Sequence, residues 1–161
     1  MTMFCRKKRT GQSGKSGKTG SKGRWRSLST LVASLDRVFS MYIRLRDTSP
    51  QGYFRCISCG RLLPFEQADC GHYVNRQHMS LRFSEQNCNA QCRRCNRFDE
   101  GAIMDYRRGL VKKIGAQQVE LLEVQKHETR KYSNWELEIL IDHYKKEVER
   151  LKNEKGYNTW K

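Results

Sequence analysis

Between Trp25 and Pro50 apolar residues recur at three- and four-residue steps: Leu28, Leu31, Val32, Leu35, Val38, Phe39, Tyr42 and Ile43. That spacing gathers them on one face of an α-helix, and Ser49-Pro50 marks its end. The pattern then breaks. Residues 51–95 hold short apolar pieces (Tyr53-Phe54, Leu62-Leu63, Leu81, Phe83) among turn residues and cysteines. They predict two short strands and long loops, with too small a core to stand without metal. Helical spacing returns after Cys95. Residues 96–113 predict one helix with Ile103, Tyr106, Leu110 and Val111 on one side, stopped at Gly115. Residues 116–127 predict a shorter helix. Ser133-Asn134-Trp135-Glu136 has the form of a capping box. It opens a last helix striped by Leu137, Leu140, Ile141, Tyr144, Val148 and Leu151. Spacing alone does not decide whether that stripe packs on the domain or against a second copy of the chain.

Composition narrows the class. The chain has 161 residues, which suits one domain with tails. No apolar run approaches the roughly eighteen residues of a membrane span, and no apolar stretch of a secretory signal follows the basic N-terminus. A cytosolic setting without membrane contact is therefore predicted. The net charge is +15. Residues 1–26 hold nine of the 32 Lys/Arg and no acid, which leaves 23 basic groups against 17 acidic ones over the remainder. Both parts of the chain are basic, and a polyanion, most simply nucleic acid, is the expected partner. Residues 7–24, KKRTGQSGKSGKTGSKGR, contain GKS and GKT, but the glycine five positions earlier that a phosphate-binding P-loop needs is absent. The stretch is predicted to be a flexible basic tail, with Lys7 and Lys8 available to phosphates.

The cysteines carry the chemistry. There are seven, at 5, 56, 59, 70, 88, 92 and 95. Cys56-x-x-Cys59 and Cys92-x-x-Cys95 form two CxxC pairs with 32 residues between them. Two such knuckles aim four thiolates at one ion and complete a closed tetrahedral Zn²⁺ site, structural in purpose because no coordination position stays open. Cys5 is predicted free. Cys70 and Cys88 lack a CxxC partner and are expected to be small buried residues or bystanders rather than metal ligands.

Between the knuckles lie His72 in CGHY and Asn87 five residues before Cys92, and Asn96 follows Cys95 directly. This order resembles the HNH (ββα-metal) nucleases. The resemblance implies an α+β fold with a small zinc-stabilised core, in which His72 is the general base, Asn87 ties the connecting loop and Asn96 binds a catalytic Mg²⁺ or Mn²⁺. A carboxylate would complete that second site. Asp69 and Asp99 are the preferred candidates, with Glu100 as the alternative. Asp69 needs a bulge at Gly71 to reach the His72 side, since an odd offset along a strand faces the opposite way. Gly71 itself stands where many HNH enzymes carry an acid or a histidine. Arg76, His78 and Arg82 after His72, and Arg93 and Arg94 inside the second knuckle, are candidate phosphate contacts.

The pieces YIRLRD, CISCGR, GHY, LRF, QCRRCN and YRRGL, spread over about Ser34 to Leu110, resemble the NinG (Rap) family of lambda-like phages. That resemblance implies a structure-selective endonuclease that cuts branched recombination intermediates such as Holliday junctions and D-loops, in the cytoplasm of a bacterial host. The predicted organisation is a basic tail at 1–24, a helix at 25–50, a zinc-bound HNH-like core at 51–114 and C-terminal helices at 115–161. The last helix is the candidate interface of a homodimer. A zinc-ribbon DNA-binding recombination accessory protein without catalysis shares the charge and the cysteines, as does an RNA-binding zinc protein.

Overall fold

The computed structural model describes residues 26–159; Cys5, Lys7, Lys8 and the rest of the predicted tail lie outside them. Helix α1 spans Leu28–Arg46. Ser27 caps it, its hydroxyl accepting the Thr30 N–H at 3.2 Å. Helix α4 spans Asn134–Lys155, and its capping box forms as predicted. The Glu136 N–H donates to Ser133 Oγ at 3.2 Å, and the Ser133 N–H donates back to the Glu136 carboxylate at 2.8 Å. The two apolar stripes meet. Leu31, Leu35, Phe39 and Ile43 share one buried cluster with Leu137, Ile141, Tyr144 and Leu151, and the rings of Phe39 and Tyr144 pack edge-on at 4.9 Å. Of the two alternatives for that stripe, packing on α1 of the same chain is the one the structure shows.

The middle of the chain holds more sheet than its apolar pattern predicts. There are two antiparallel ribbons: β1 (Tyr53–Arg55) with β2 (Leu62–Pro64), and β3 (Ala68–His72) with β4 (Cys88–Cys92). Strand β4 reads CNAQC, and all five of its residues are buried. Cys88, Ala90 and Cys92 alternate with Asn89 and Gln91, yet both faces are buried, because the polar side chains spend their hydrogen bonds inside the protein rather than on water.

The single helix predicted over 96–113 is two pieces. A π-helical turn, Arg94–Phe98, closes the second knuckle. The chain then turns through three left-handed residues, Glu100, Gly101 and Ala102, at φ 47°, 82° and 44°. Helix α2 runs Ile103–Ile114 and stops at Gly115 as predicted, followed by α3, Ala116–Gln125. Helix α2 sits directly on the first knuckle, and a Cβ on Gly109 would collide with the Ile57 carbonyl. Tyr106, Leu110, Val119 and Leu122 bury against Val74 and Leu81 of the long loop between β3 and β4. No helix among the described residues is long and apolar enough to cross a membrane.

Candidate metal centre and adjoining cleft

The turn after β1 and the end of β4 bring Cys56, Cys59, Cys92 and Cys95 together, with all four sulfurs within 4.8 Å of one another. Cys59 Sγ lies 3.9 Å from Cys92 Sγ. The Cys92 N–H points at Cys56 Sγ (3.3 Å), and the Arg61 guanidinium faces Cys59 and Cys92 at 3.5 and 3.8 Å. Burial pushes the Cys59 thiol up, but the bonds from Arg61 outweigh it and bring the group down to about 6. Burial pushes Cys56 and Cys95 up. Four crowded sulfurs cannot all ionise beside one another without a cation. Donor type, number and spacing fit a zinc ion, which this cluster could hold.

The cluster anchors the far end of the β3–β4 ribbon. Pairing runs without interruption from Ala68 opposite Cys92 to His72 opposite Cys88. Gly71 therefore makes no bulge, and Asp69 keeps the strand face opposite to that of His72. Gly71 has a different purpose: a Cβ there would lie 2.9 Å from the Gln91 Cβ and overlap its amide. His72 ends β3, half-buried, with Nε2 3.1 Å from the Arg82 carbonyl oxygen. A carbonyl only accepts, so Nε2 carries the proton and Nδ1 keeps the lone pair. Burial holds the imidazole below its ordinary pKa despite that bond, which favours the neutral ring. His72 opens onto a cleft of about 460 Å³ whose walls include Asp36, Cys70, Arg76, Asn96 and Glu100.

Asn87 is fully buried. Its Nδ2 donates to the carbonyls of Val74 (2.9 Å) and Leu81 (3.1 Å), and its Oδ1 accepts the Val74 N–H at 2.7 Å. One side chain thereby closes the start of the long loop onto its end. Asn96 lines the His72 cleft and donates its NH₂ to Asp69 at 3.1 Å, which leaves the amide oxygen as its acceptor end. Both Asp69 oxygens accept from Arg97 at 2.7 Å. Burial raises the Asp69 carboxyl, yet Arg97 and Asn96 hold it below the usual carboxylate range.

The two preferred carboxylates thus part company. Asp69 touches Asn96, while Asp99 lies away from His72, beside Arg94 (3.7 Å) and near Cys59 and Cys95. Glu100 and Asp36 are the acids that share the cleft with His72 and Asn96, and Asp36 is taken up by Arg82. The arginines divide as well. Arg82 is clamped by Asp36, its Nε 2.9 Å from Oδ1, so its charge is already matched inside the protein. Arg76, Arg93 and Arg94 are exposed, and Arg93 spends one N–H on the Glu66 carbonyl at 2.7 Å. His78 turns back to bond the Lys126 carbonyl at 2.8 Å.

Several residues that frame the cleft have no signature in the sequence. Gln91, buried in β4, donates to Ser58 Oγ at 2.8 Å and to the Gly101 carbonyl at 2.6 Å, fixing the left-handed turn that presents Glu100. The Tyr106 hydroxyl donates to the Gly71 carbonyl at 2.9 Å. Asp47 receives Arg46 at 2.9 Å, Lys113 at 3.0 Å and the Ala90 N–H at 2.8 Å, tying α1 to β4 and α2. Much of YIRLRD and YRRGL is accounted for by these ties. Only the clustering of such motifs around the knuckles could have pointed to them.

Comparison with known proteins places the chain. The family model described as Bacteriophage Lambda NinG protein matches residues 3–154. Protein ninG of Escherichia phage lambda is 29% identical over 126 residues, covering 78% of this chain and 59% of its own length. Protein ninG of Salmonella phage P22 gives the same figures of 29%, 78% and 59%. Protein ninG of Enterobacteria phage H19B is 33% identical over 93 residues, 57% of this chain and 44% of its own. The chain therefore spans about 59% of the length of the first two relatives. No solved structure matches. With the family model covering nearly the whole chain, the protein belongs to the NinG family of phage proteins.

Proposed function

We propose that the chain is a metal-dependent DNA endonuclease of the HNH kind, selective for branched DNA such as Holliday junctions and D-loops. The observation that carries this reading is the state of His72. Its Nε2 faces the Arg82 carbonyl, which assigns the lone pair to Nδ1, burial favours the neutral ring, and the ring lines an open cleft. Those are the requirements of a general base at neutral pH. A water beside Nδ1 would give up its proton to His72 as its oxygen attacks phosphorus. The bond to the leaving oxygen then breaks. Asn96, through its amide oxygen, and Glu100 would hold Mg²⁺ or Mn²⁺ in the same cleft. A hard cation of that kind, when bound, stabilises charge on the phosphate and on the leaving oxygen. Asp69, occupied by Arg97, acts by orienting Asn96. Arg76, Arg93 and Arg94 supply exposed positive charge for the backbone.

One observation favours a second reading. The Asn96–Asp69–Arg97 bonds already give Asn96 a structural purpose, as a zinc-ribbon DNA-binding accessory protein without catalysis would require. Cleavage separates the two. A synthetic four-way junction and a linear duplex of the same sequence are incubated with the protein, with Mg²⁺ and with chelator. The nuclease reading expects nicks in the junction, few in the duplex, and none in chelator. Tight junction binding with no cutting in any divalent cation supports the accessory reading instead.

A further inference from the structure

Cys70 and His72 are two apart on β3 and so share a face of that strand. Cys88 is the residue of β4 that pairs directly with His72. Strand geometry alone thus converges two thiols and an imidazole. Their donor atoms all lie within 4.8 Å of one another, the same spacing as in the four-cysteine cluster. Cys88 is fully buried behind them, whereas Cys70 and His72 line the cleft. Two sulfurs and one imidazole nitrogen make a three-donor set of the kind zinc accepts, with a fourth position left for solvent or an added ligand. The same cleft is also lined by oxygen donors, among them Asn96 and Glu100. Soft sulfur selects zinc-like ions, and amide and carboxylate oxygens select magnesium. Soft and hard donors thus line the one cleft that His72 also lines.

We propose that Cys70, His72 and Cys88 form a second site for a thiophilic divalent cation, separate from the four-cysteine cluster, and that its occupancy shuts the cleft down. Binding releases the Cys70 and Cys88 thiol protons and takes a lone pair of His72 away from water. The site stands on its own geometry; the inhibition rests on His72 being the base, as proposed above.

The test titrates the reduced full-length chain, kept in a non-thiol reductant, with Co²⁺ as the probe for thiolate ligation. Wild type is expected to take up two equivalents, each with thiolate-to-cobalt absorption. Cys70→Ala and Cys88→Ala are each expected to take one, and the surviving four-cysteine spectrum shows that the variant has folded. Saturation of wild type at one equivalent overturns the site, as does uptake of two by both variants. In the Mg²⁺-dependent junction assay, excess Zn²⁺ is expected to slow wild type about a hundredfold, within the share a general base supplies, and to leave the rate of Cys70→Ala nearly unchanged. Equal slowing of both overturns the switch. If the protein cuts nothing, the nuclease reading falls alone, and the cobalt count still decides the site.

Discussion

One hydrogen bond, from His72 Nε2 to the Arg82 carbonyl, decides which nitrogen of the ring keeps its lone pair. Burial holds the group below its ordinary value of 6.5. With the folded pKa depressed, the neutral base persists to lower pH than an exposed histidine would allow. The acid limb of the cleavage rate is accordingly expected below pH ~6.5, and a limb at or above that value would contradict a buried base. The same linkage acts on stability. As pH falls from about 6.5 toward the folded pKa, the unfolded chain takes up the proton first and the folded state loses ground. Asn87 gives a second test at this scale. Asn87→Ala strands the Val74 N–H and two carbonyls in the interior, and should cost at least ~2 kcal/mol in urea unfolding; a smaller loss would mean that water replaces the side chain. His72, Asn87 and Asn96 were legible because their order relative to the CxxC pairs is distinctive. Gln91 was not, since a glutamine that bonds a distant carbonyl looks the same in sequence as one facing water.

At the level of elements, amphipathic helices read well and the ribbon that bears the site read poorly. Helices α1 and α4 announce themselves because they bury one stripe and wet the other. The five residues of β4 are all buried, and its apolar positions are two cysteines and an alanine, too small to stand out as a strand. The turn at Glu100–Ala102 was missed for a different reason. NRFDEGAI has helix-compatible spacing, and the hydrogen bond from Gln91 to Gly101 overrides it from another element. That dependence is testable. Gly71→Ala would force Gln91 aside, release Gly101 and loosen the turn that carries Glu100. Overpacking of this sort should destabilise by about 1–3 kcal/mol and speed amide exchange over residues 99–102. Unchanged exchange there would show that the turn holds itself.

Over the described residues two long helices pack together beside two small ribbons, with the four-cysteine cluster joining the first ribbon to β4 and α2 seated on the first knuckle. Both CxxC pairs and the basic charge were visible in the sequence, and so was a four-cysteine set that could hold zinc. Where the last helix docks was not visible, because an apolar stripe does not name its partner. With that stripe covered by α1, light scattering at working concentration is expected to return the monomer mass; a dimer mass would require an interface elsewhere on the surface. The central proposal is that the ribbon anchored at the four-cysteine cluster presents His72 as the base of a DNA-cutting cleft. The most direct measurement compares wild type with His72→Ala on a four-way junction in Mg²⁺, at protein concentrations where both are shown to bind it. The account predicts equal binding and cleavage slower by about 10²–10⁴-fold in the variant. Equal cleavage by the two proteins would contradict it.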